Sequence, residues 1–177
     1  MKKLVLDLDE TLVCSSLESQ GAESVSLSAD GTQFYTMLRP GAKSFIDYVM
    51  KRFEVYIWST GMQSYVERVW TLFDVPGVVL WGRGYCKRVE GEVEGEPFEK
   101  PLRQITHDLT QIVLVDNTPS MFAKCPLNGI LIRTWRGDSH DRELYHLSQY
   151  LDWLGKCDSM QRDHRAWRIE TLCIRSR

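Results

Sequence analysis

Lys3-Leu4-Val5-Leu6-Asp7-Leu8-Asp9-Glu10-Thr11-Leu12 is the stretch whose reading decides the fold. An apolar run delivers two carboxylates and a hydroxyl, at alternating positions, to the place where the run gives out. Continuous Leu/Val character marks a strand buried on both faces, as in a parallel sheet. Alternate side chains of an extended chain share a face, so Asp7, Asp9 and Thr11 are expected together on one side. Asp7 lies within the apolar run, where an unpaired charge is costly. A hard divalent cation, which prefers oxygen ligands, is the natural counter-charge. A carboxylate so placed also suits a nucleophile that forms an aspartyl-phosphate. Such a triplet arises by chance in roughly 3% of chains this long, so the rest of the sequence has to carry the reading further.

Two more runs of the same kind follow. Glu54-Val55-Tyr56-Ile57-Trp58 ends at Ser59-Thr60-Gly61, and Ile112-Val113-Leu114-Val115 ends at Asp116-Asn117-Thr118-Pro119. Between them Phe45, Ile46, Val49, Met50 and Phe53, then Val66, Val69, Trp70 and Phe73, recur at helical spacing. Lys100-Pro101 opens a short helix with Leu102 and Ile105. A fourth strand, Gly129-Ile130-Leu131-Ile132, precedes a helix with Leu144, Leu147, Leu151 and Leu154 inward and Asp138 or Ser139 as N-cap. Strand alternating with helix predicts an α/β fold with a doubly wound parallel sheet. Ligands of such sheets bind beyond the carboxyl ends of the strands. Three polar strand ends, Asp7/Asp9, Ser59/Thr60 and Asp116/Asn117, are expected to converge on that edge.

Ala29-Asp30-Gly31-Thr32, between Val25-Ser26-Leu27 and Phe34 to Leu38, predicts a β-hairpin. Residues 76–99, which include Val78 to Trp81, Tyr85 to Val89 and the acidic Glu90-to-Glu96 stretch, read as a small β-rich insert. That insert is expected to lie over the mouth of the site and to govern substrate choice. Trp58 and Trp70 follow core periodicity, and Trp153 and Trp167 are expected to anchor a C-terminal helix to the sheet. His107, His140, His146 and His164 are read as solvated.

The chain has 177 residues, 43% hydrophobic and 26% charged, which fits one domain with a sizeable core. A net charge of −2 makes no electrostatic case for direct nucleic-acid binding. No apolar run approaches the length of a membrane span, and no signal-peptide pattern is present. Five scattered cysteines (Cys14, Cys86, Cys125, Cys157, Cys173), with no Cys-x-x-Cys pair, fit reduced thiols in an intracellular compartment, nucleus or cytoplasm. The first strand begins almost at Met1, which leaves room for a longer natural N-terminus. The oligomeric state is open, with a monomer favoured.

Carboxylates with an amide oxygen form a partly hydrated magnesium site. Lysine and hydroxyl donors beside them make a pocket for a trianionic phosphoryl group. In such a site Asp7 attacks, and Asp9 protonates the leaving alkoxide and then deprotonates the hydrolytic water.

Asp7-Leu8-Asp9-Glu10-Thr11-Leu12-Val13, Arg39-Pro40-Gly41, Trp58-Ser59-Thr60-Gly61, Lys100 and Leu114-Val115-Asp116-Asn117-Thr118-Pro119 stand in the order and spacing of a known group. Over residues 2–155 the chain resembles the haloacid-dehalogenase superfamily. Within it, the chain is similar to the small phosphatases that act on the RNA polymerase II C-terminal domain, Dullard-like enzymes included. The resemblance implies a magnesium-dependent protein serine/threonine phosphatase, with a phosphorylated protein or peptide as substrate and residues 156–177 as a helical extension. It implies Asp7 as nucleophile, Asp9 as acid/base, Lys100 as the catalytic lysine, and Asp7, Asp9 and Asn117 as metal residues. Thr11, Ser59 and Asp116 would serve phosphate or substrate binding, Asp116 contacting the metal at most through water. A one-residue slip would move the role of Ser59 to Thr60, because the usual Phe-Thr-Ala-Ser is Trp58-Ser59-Thr60-Gly61 here. Tyr65 and Arg83 match substrate-facing positions. Two other functions fit the same fold. A binding module like the mitochondrial translocase receptor is disfavoured by the intact Asp7, Asp9, Lys100 and Asp116-Asn117. A small-molecule phosphatase is disfavoured by an insert too small to enclose its substrate.

Overall fold

In the computed structural model, which describes residues 1–90 and 97–174, the apolar runs lie side by side as parallel strands. The chain runs β1 (Lys3–Leu6), β2 (Val13–Ser16), β3 (Val25–Ala29), β4 (Thr32–Leu38), α1 (Ala42–Met50), β5 (Glu54–Trp58) and α2 (Gln63–Trp70). Then come β6 (Val79–Trp81), β7 (Lys87–Arg88), β8 (Phe98–Glu99), β9 (Ile112–Asp116), β10 (Gly129–Leu131), α3 (Glu143–Leu154) and α4 (Trp167–Ile174). The main sheet has the order β10-β9-β1-β5-β6, with every neighbouring pair parallel. Leu6 stands opposite both Ile57 and Val115, so the three central strands end level.

Side-chain alternation fills both faces of this sheet. Leu4, Leu6, Ile57 and Val115 share a cluster with Ile46 and Val49 of α1, Val66 and Val69 of α2, and Leu147 and Leu151 of α3. Val5, Tyr56, Trp58, Ile112 and Leu114 share a second cluster. Leu102 and Met121, from 3-10 turns, cover them there. Each fully buried Leu, Ile or Val is worth about 1.5–3 kcal/mol.

The structure differs from the sequence-based expectations in several places. Val79–Trp81 is no part of the insert: it pairs with β5 as the edge strand of the main sheet, Trp58 opposite Trp81. Its β character is legible in Val78 to Trp81, but a run this short does not reveal which sheet it joins. Beyond it, among the described residues of the insert, the antiparallel pair of β7 and β8 stands apart from the main sheet. Most of the acidic Glu90-to-Glu96 stretch, residues 91–96, lies outside the described residues. The Asp30-Gly31 hairpin is present, with φ of 50° and 79° at its two turn residues, the positive values a two-residue turn favours. β4 also pairs on its other side with β2, making a three-stranded sheet. The Lys100-Pro101 helix is a single 3-10 turn, Leu102–Gln104.

The N-cap of α3 also differs. Asp138 accepts the His140 N–H, whereas Asp141 accepts the N–H of Glu143, the first residue of the helix. Arg39 explains the shift. Its side chain is fully buried and takes Asp141 as counter-charge through two 2.8 Å bonds. Burial alone would raise the Asp141 carboxyl, but the Arg39 guanidinium and the Glu143 N–H outweigh it and leave it below the usual range. His164, read as solvated, is buried, its Nδ1 2.8 Å from the Tyr150 hydroxyl. Trp167 donates its indole N–H to the Leu131 carbonyl of β10 at 3.0 Å, and the Arg162 guanidinium lies 4.4 Å from the Trp153 ring. Cys14, Cys86, Cys125 and Cys157 are free thiols. Among the described residues no helix is long and apolar enough to cross a membrane.

Candidate active site

The chain leaves β1 at Leu6 and turns at once. The N–H groups of Leu12 and Val13 both reach the Leu8 carbonyl, at 2.9 and 3.1 Å, while Glu10 takes a left-handed φ of 59°. This turn, and not strand alternation, brings Thr11 back over Asp7, where its hydroxyl donates to Asp7 Oδ2 at 2.9 Å. The expected shared face of an extended chain is therefore corrected. Alternation needs a strand that continues, and this one stops before Asp7. Arg39 fixes the turn from beneath: its guanidinium donates to the Thr11 carbonyl at 3.0 Å and its N–H to the Leu12 carbonyl at 2.9 Å.

Lys100 rises from the 98–101 segment and lies fully buried between two carboxylates. Its Nζ is 2.7 Å from Asp7 Oδ1 and 2.7 Å from Asp116 Oδ2. Burial works against its charge, but Asp116 and Asp7 outweigh burial and raise its pKa above the ordinary lysine value. Burial and the like charge of Asp7 push the Asp116 carboxyl upward, against the pull of Lys100. The second Asp116 oxygen accepts the Thr118 N–H at 2.8 Å, which fixes the carboxylate at the end of β9.

Asp9 faces a different set of partners. Ser59, at the end of β5, donates to its Oδ2 at 2.9 Å, and Tyr65 of α2 donates to its Oδ1. Burial first, then repulsion from Asp7, raise the Asp9 carboxyl to about 6, against these hydrogen bonds. Two adjacent carboxylates thus have unlike surroundings, one beside a lysine and the other among hydroxyls. Such unlike settings are the kind that divide roles between two carboxyl groups.

Ser59, expected as a phosphate-binding hydroxyl, donates to Asp9 and accepts the Gly61 N–H at 2.9 Å. Thr60 is placed by its main chain: its carbonyl accepts from Arg83 Nε at 2.6 Å. Arg83 itself is exposed, beside the Phe98 ring. Tyr65 joins the site to a cleft: its hydroxyl donates to Asp9 and accepts from Ser15 Oγ, and its side chain lines a cleft of about 380 Å³ with Ser15, Leu17, Phe34 and Met62. That cleft opens between the β3–β4 hairpin and the start of α2.

Asn117 follows Asp116 out of β9. Its amide nitrogen donates to Glu10 Oε2 and Thr134 Oγ1, both at 3.2 Å. Its Oδ1 is thereby turned toward Thr11 Oγ1, 3.5 Å away, on the side of Asp7. Among the described residues no group of three or more His, Cys, Asp or Glu is placed to hold a metal ion by itself. Carboxylate and amide oxygens are the hard donors gathered here, too few for a closed cage. They suit magnesium, which keeps several of its waters. Both oxygens of Asp9 accept hydrogen bonds, from Ser59 and Tyr65, as do both of Asp7, from Lys100 and Thr11, so these bonds do not choose between the two carboxylates.

The residues that hold the site together were not singled out by sequence reading: Glu10, Ser15, Thr134 and the buried ion pair of Arg39 with Asp141. Glu10 and Arg39 lie inside quoted motifs, which was the available signal. Ser15 and Thr134 gave none.

The parallel sheet, with these carboxylates and a lysine at its carboxyl edge, has a haloacid-dehalogenase-like fold. The model of the NLI interacting factor-like phosphatases matches residues 2–161, and the chain belongs to that family. It is 32% identical over 167 residues to a probable C-terminal domain small phosphatase of Dictyostelium discoideum, covering 91% of this chain and 53% of that one. It is also 32% identical over 157 residues to Phosphatase PSR1 of Saccharomyces cerevisiae (85% and 36%). To the human CTD small phosphatase-like protein it is 29% identical over 163 residues (90% and 58%). The chain thus spans about half the length, or less, of these relatives. Among solved structures it shares the fold of the fission yeast RNA polymerase II CTD phosphatase Fcp1 bound to beryllium fluoride. The TM-score is 0.57 at 15% identity, over 99% of this chain and 62% of that one.

Proposed function

We propose that the chain is a protein serine/threonine phosphatase that works through an aspartyl-phosphate on Asp7, with magnesium as cofactor. The observation that carries this reading is the pairing of two adjacent carboxylates in unlike settings: Asp7 on Lys100 and Thr11, Asp9 on Ser59 and Tyr65.

An Asp7 oxygen attacks the phosphorus, and the bond to the serine or threonine oxygen breaks. Asp9 delivers its proton to that oxygen, which leaves as the alcohol. A water then gives its proton to Asp9 and attacks the phosphorus. The bond to Asp7 breaks, inorganic phosphate departs, and both carboxyl groups return to their starting states. Lys100 orients Asp7 and offsets charge that builds on the phosphoryl oxygens. When bound, magnesium supplies Lewis-acid neutralisation of those oxygens, and Asp7, Asp9 and Asn117 would hold it. Thr11 and Ser59 orient the two carboxylates. Thr60 and Arg83 stand at the rim, where Arg83 and the cleft along Tyr65 would receive the substrate chain.

The cleft favours an extended phosphorylated protein segment over a small phosphate ester, because it opens to solvent beside Asp9. The relatives named as C-terminal domain phosphatases support that substrate class, and the chemistry fits nucleus or cytoplasm equally. The test compares Asp9→Asn with the parent on two substrates. Phosphoserine peptides, whose alkoxide leaves poorly, should lose about 10²–10⁴-fold in rate, whereas aryl phosphates, whose leaving group needs little protonation, should lose far less. Equal losses on both, or full activity in excess chelator, would remove the proposed mechanism.

A further inference from the structure

We propose that Glu10 and Thr134 are positioning residues that fix the amide of Asn117 so that its oxygen, and not its nitrogen, faces Asp7. This rests on the reading of Asn117 as a magnesium ligand.

An amide side chain can present either end to a neighbour, and only its hydrogen-bond partners decide which. Here both hydrogens of the Asn117 nitrogen have an acceptor, Glu10 Oε2 on one side and Thr134 Oγ1 on the other, each at 3.2 Å. A carboxylate accepts and cannot donate, so a flipped amide would set its oxygen against the negative charge of Glu10. Glu10 is itself held by three contacts. Its N–H donates to the Val13 carbonyl at 2.7 Å, its own carbonyl accepts the Trp135 N–H at 2.8 Å, and its Oε1 lies 3.4 Å from Arg136 Nε.

The backbone gives a second, independent sign. Glu10 is one of three non-glycine residues with positive φ among the described residues, at 59°. For such a residue this conformation is strained and persists where its surroundings enforce it. The bend aims the Glu10 side chain back across the turn toward Asn117. Thr134 arrives from the segment after β10, so the last parallel strand and the turn after the first meet on one amide. Such partners typically govern metal affinity by 10–100-fold without touching the metal.

The test is magnesium affinity, measured by titration calorimetry on the unliganded protein, for Glu10→Gln, Thr134→Val and Asn117→Ala, singly and combined. Thr134→Val keeps shape and charge and removes the acceptor, so it separates positioning from a general loss of negative charge. It is expected to weaken magnesium binding by about tenfold, and Glu10→Gln by a comparable factor. In the Asn117→Ala background neither change should weaken binding further. Melting temperatures without magnesium should stay close to the parent, which sets folding aside. Parent-like affinity in Thr134→Val, or equal losses with and without Asn117, overturns the positioning role. Parent-like affinity in Asn117→Ala overturns the ligand reading itself and the proposal with it, and is told apart because it appears in that variant alone.

Discussion

Lys100 is the residue on which the electrostatics of the site turns. Two buried carboxylates 2.7 Å from one ammonium make a triad whose charges hold each other in place. Removing one partner of a buried ion pair leaves an uncompensated charge, at about 3–5 kcal/mol. Lys100→Met is therefore expected to lower stability by that much in urea melts at neutral pH. A loss below about 1 kcal/mol would mean that water reaches the carboxylates. Tyr65→Phe is a milder change at the same scale. It removes the hydroxyl on Asp9 Oδ1 and keeps the ring contact with Phe34, whose centroid is 5.0 Å away. Turnover of phosphopeptides is expected to fall about tenfold while the melting temperature changes little. Unchanged turnover would leave Tyr65 a cleft wall and nothing more.

The elements carry two further expectations. The β1 turn rests on Arg39, whose guanidinium bridges Asp141 and the Thr11 carbonyl. Arg39→Met should cost about 3–5 kcal/mol, and Asp141→Asn in the same chain should recover part of it, since the orphaned charge is then gone. The junction of α3 with the segment before α4 should respond to pH. Burial first, then the nearby Arg162, lower His164 from 6.5 to about 4, despite Asp163 and the Leu127 and Met160 carbonyls that favour its charged form. Between those values the unfolded chain binds a proton that the folded chain refuses, so stability rises with pH through the window and is complete above 6.5. Acidification from pH 7 to 4.5 should cost on the order of 2–3 kcal/mol through this group. His164→Gln should flatten that slope, and an unchanged slope would place the acid sensitivity elsewhere. The same junction shows where sequence reading stops. Leu144, Leu147 and Leu151 announced their burial by spacing, whereas His164 is buried by Tyr150 and by the Leu127 and Met160 carbonyls, groups that no spacing pattern links to it. β2 was missed, and β6 was read as β structure but placed in the insert, for the same reason: Val13 to Ser16 and Val79 to Trp81 take their places from the edges that β4 and β5 offer.

Across the whole molecule, the parallel sheet and its polar carboxyl edge were legible because buried Val/Ile/Leu runs have few other destinations. Asp7 and Asp116 come together because β1 and β9 end level, and Lys100 reaches both from the segment that follows β8. What sequence could not assign was the partner of each group, above all that Ser59 and Tyr65 hold Asp9 while Glu10 and Thr134 hold Asn117. Those choices follow from turn geometry a few residues beyond each strand. The central claim is that phosphate passes through Asp7, and its most direct test is acid quenching of a single turnover. Phosphopeptide bearing radiolabelled phosphate is mixed with the protein and magnesium, and the quenched chain is digested and mapped. The expected result is a transient, hydroxylamine-sensitive label on the peptide containing Asp7, absent when Asp7 is replaced by Asn. Turnover with no labelled protein at any time point, or a label that survives in Asp7→Asn, would contradict it.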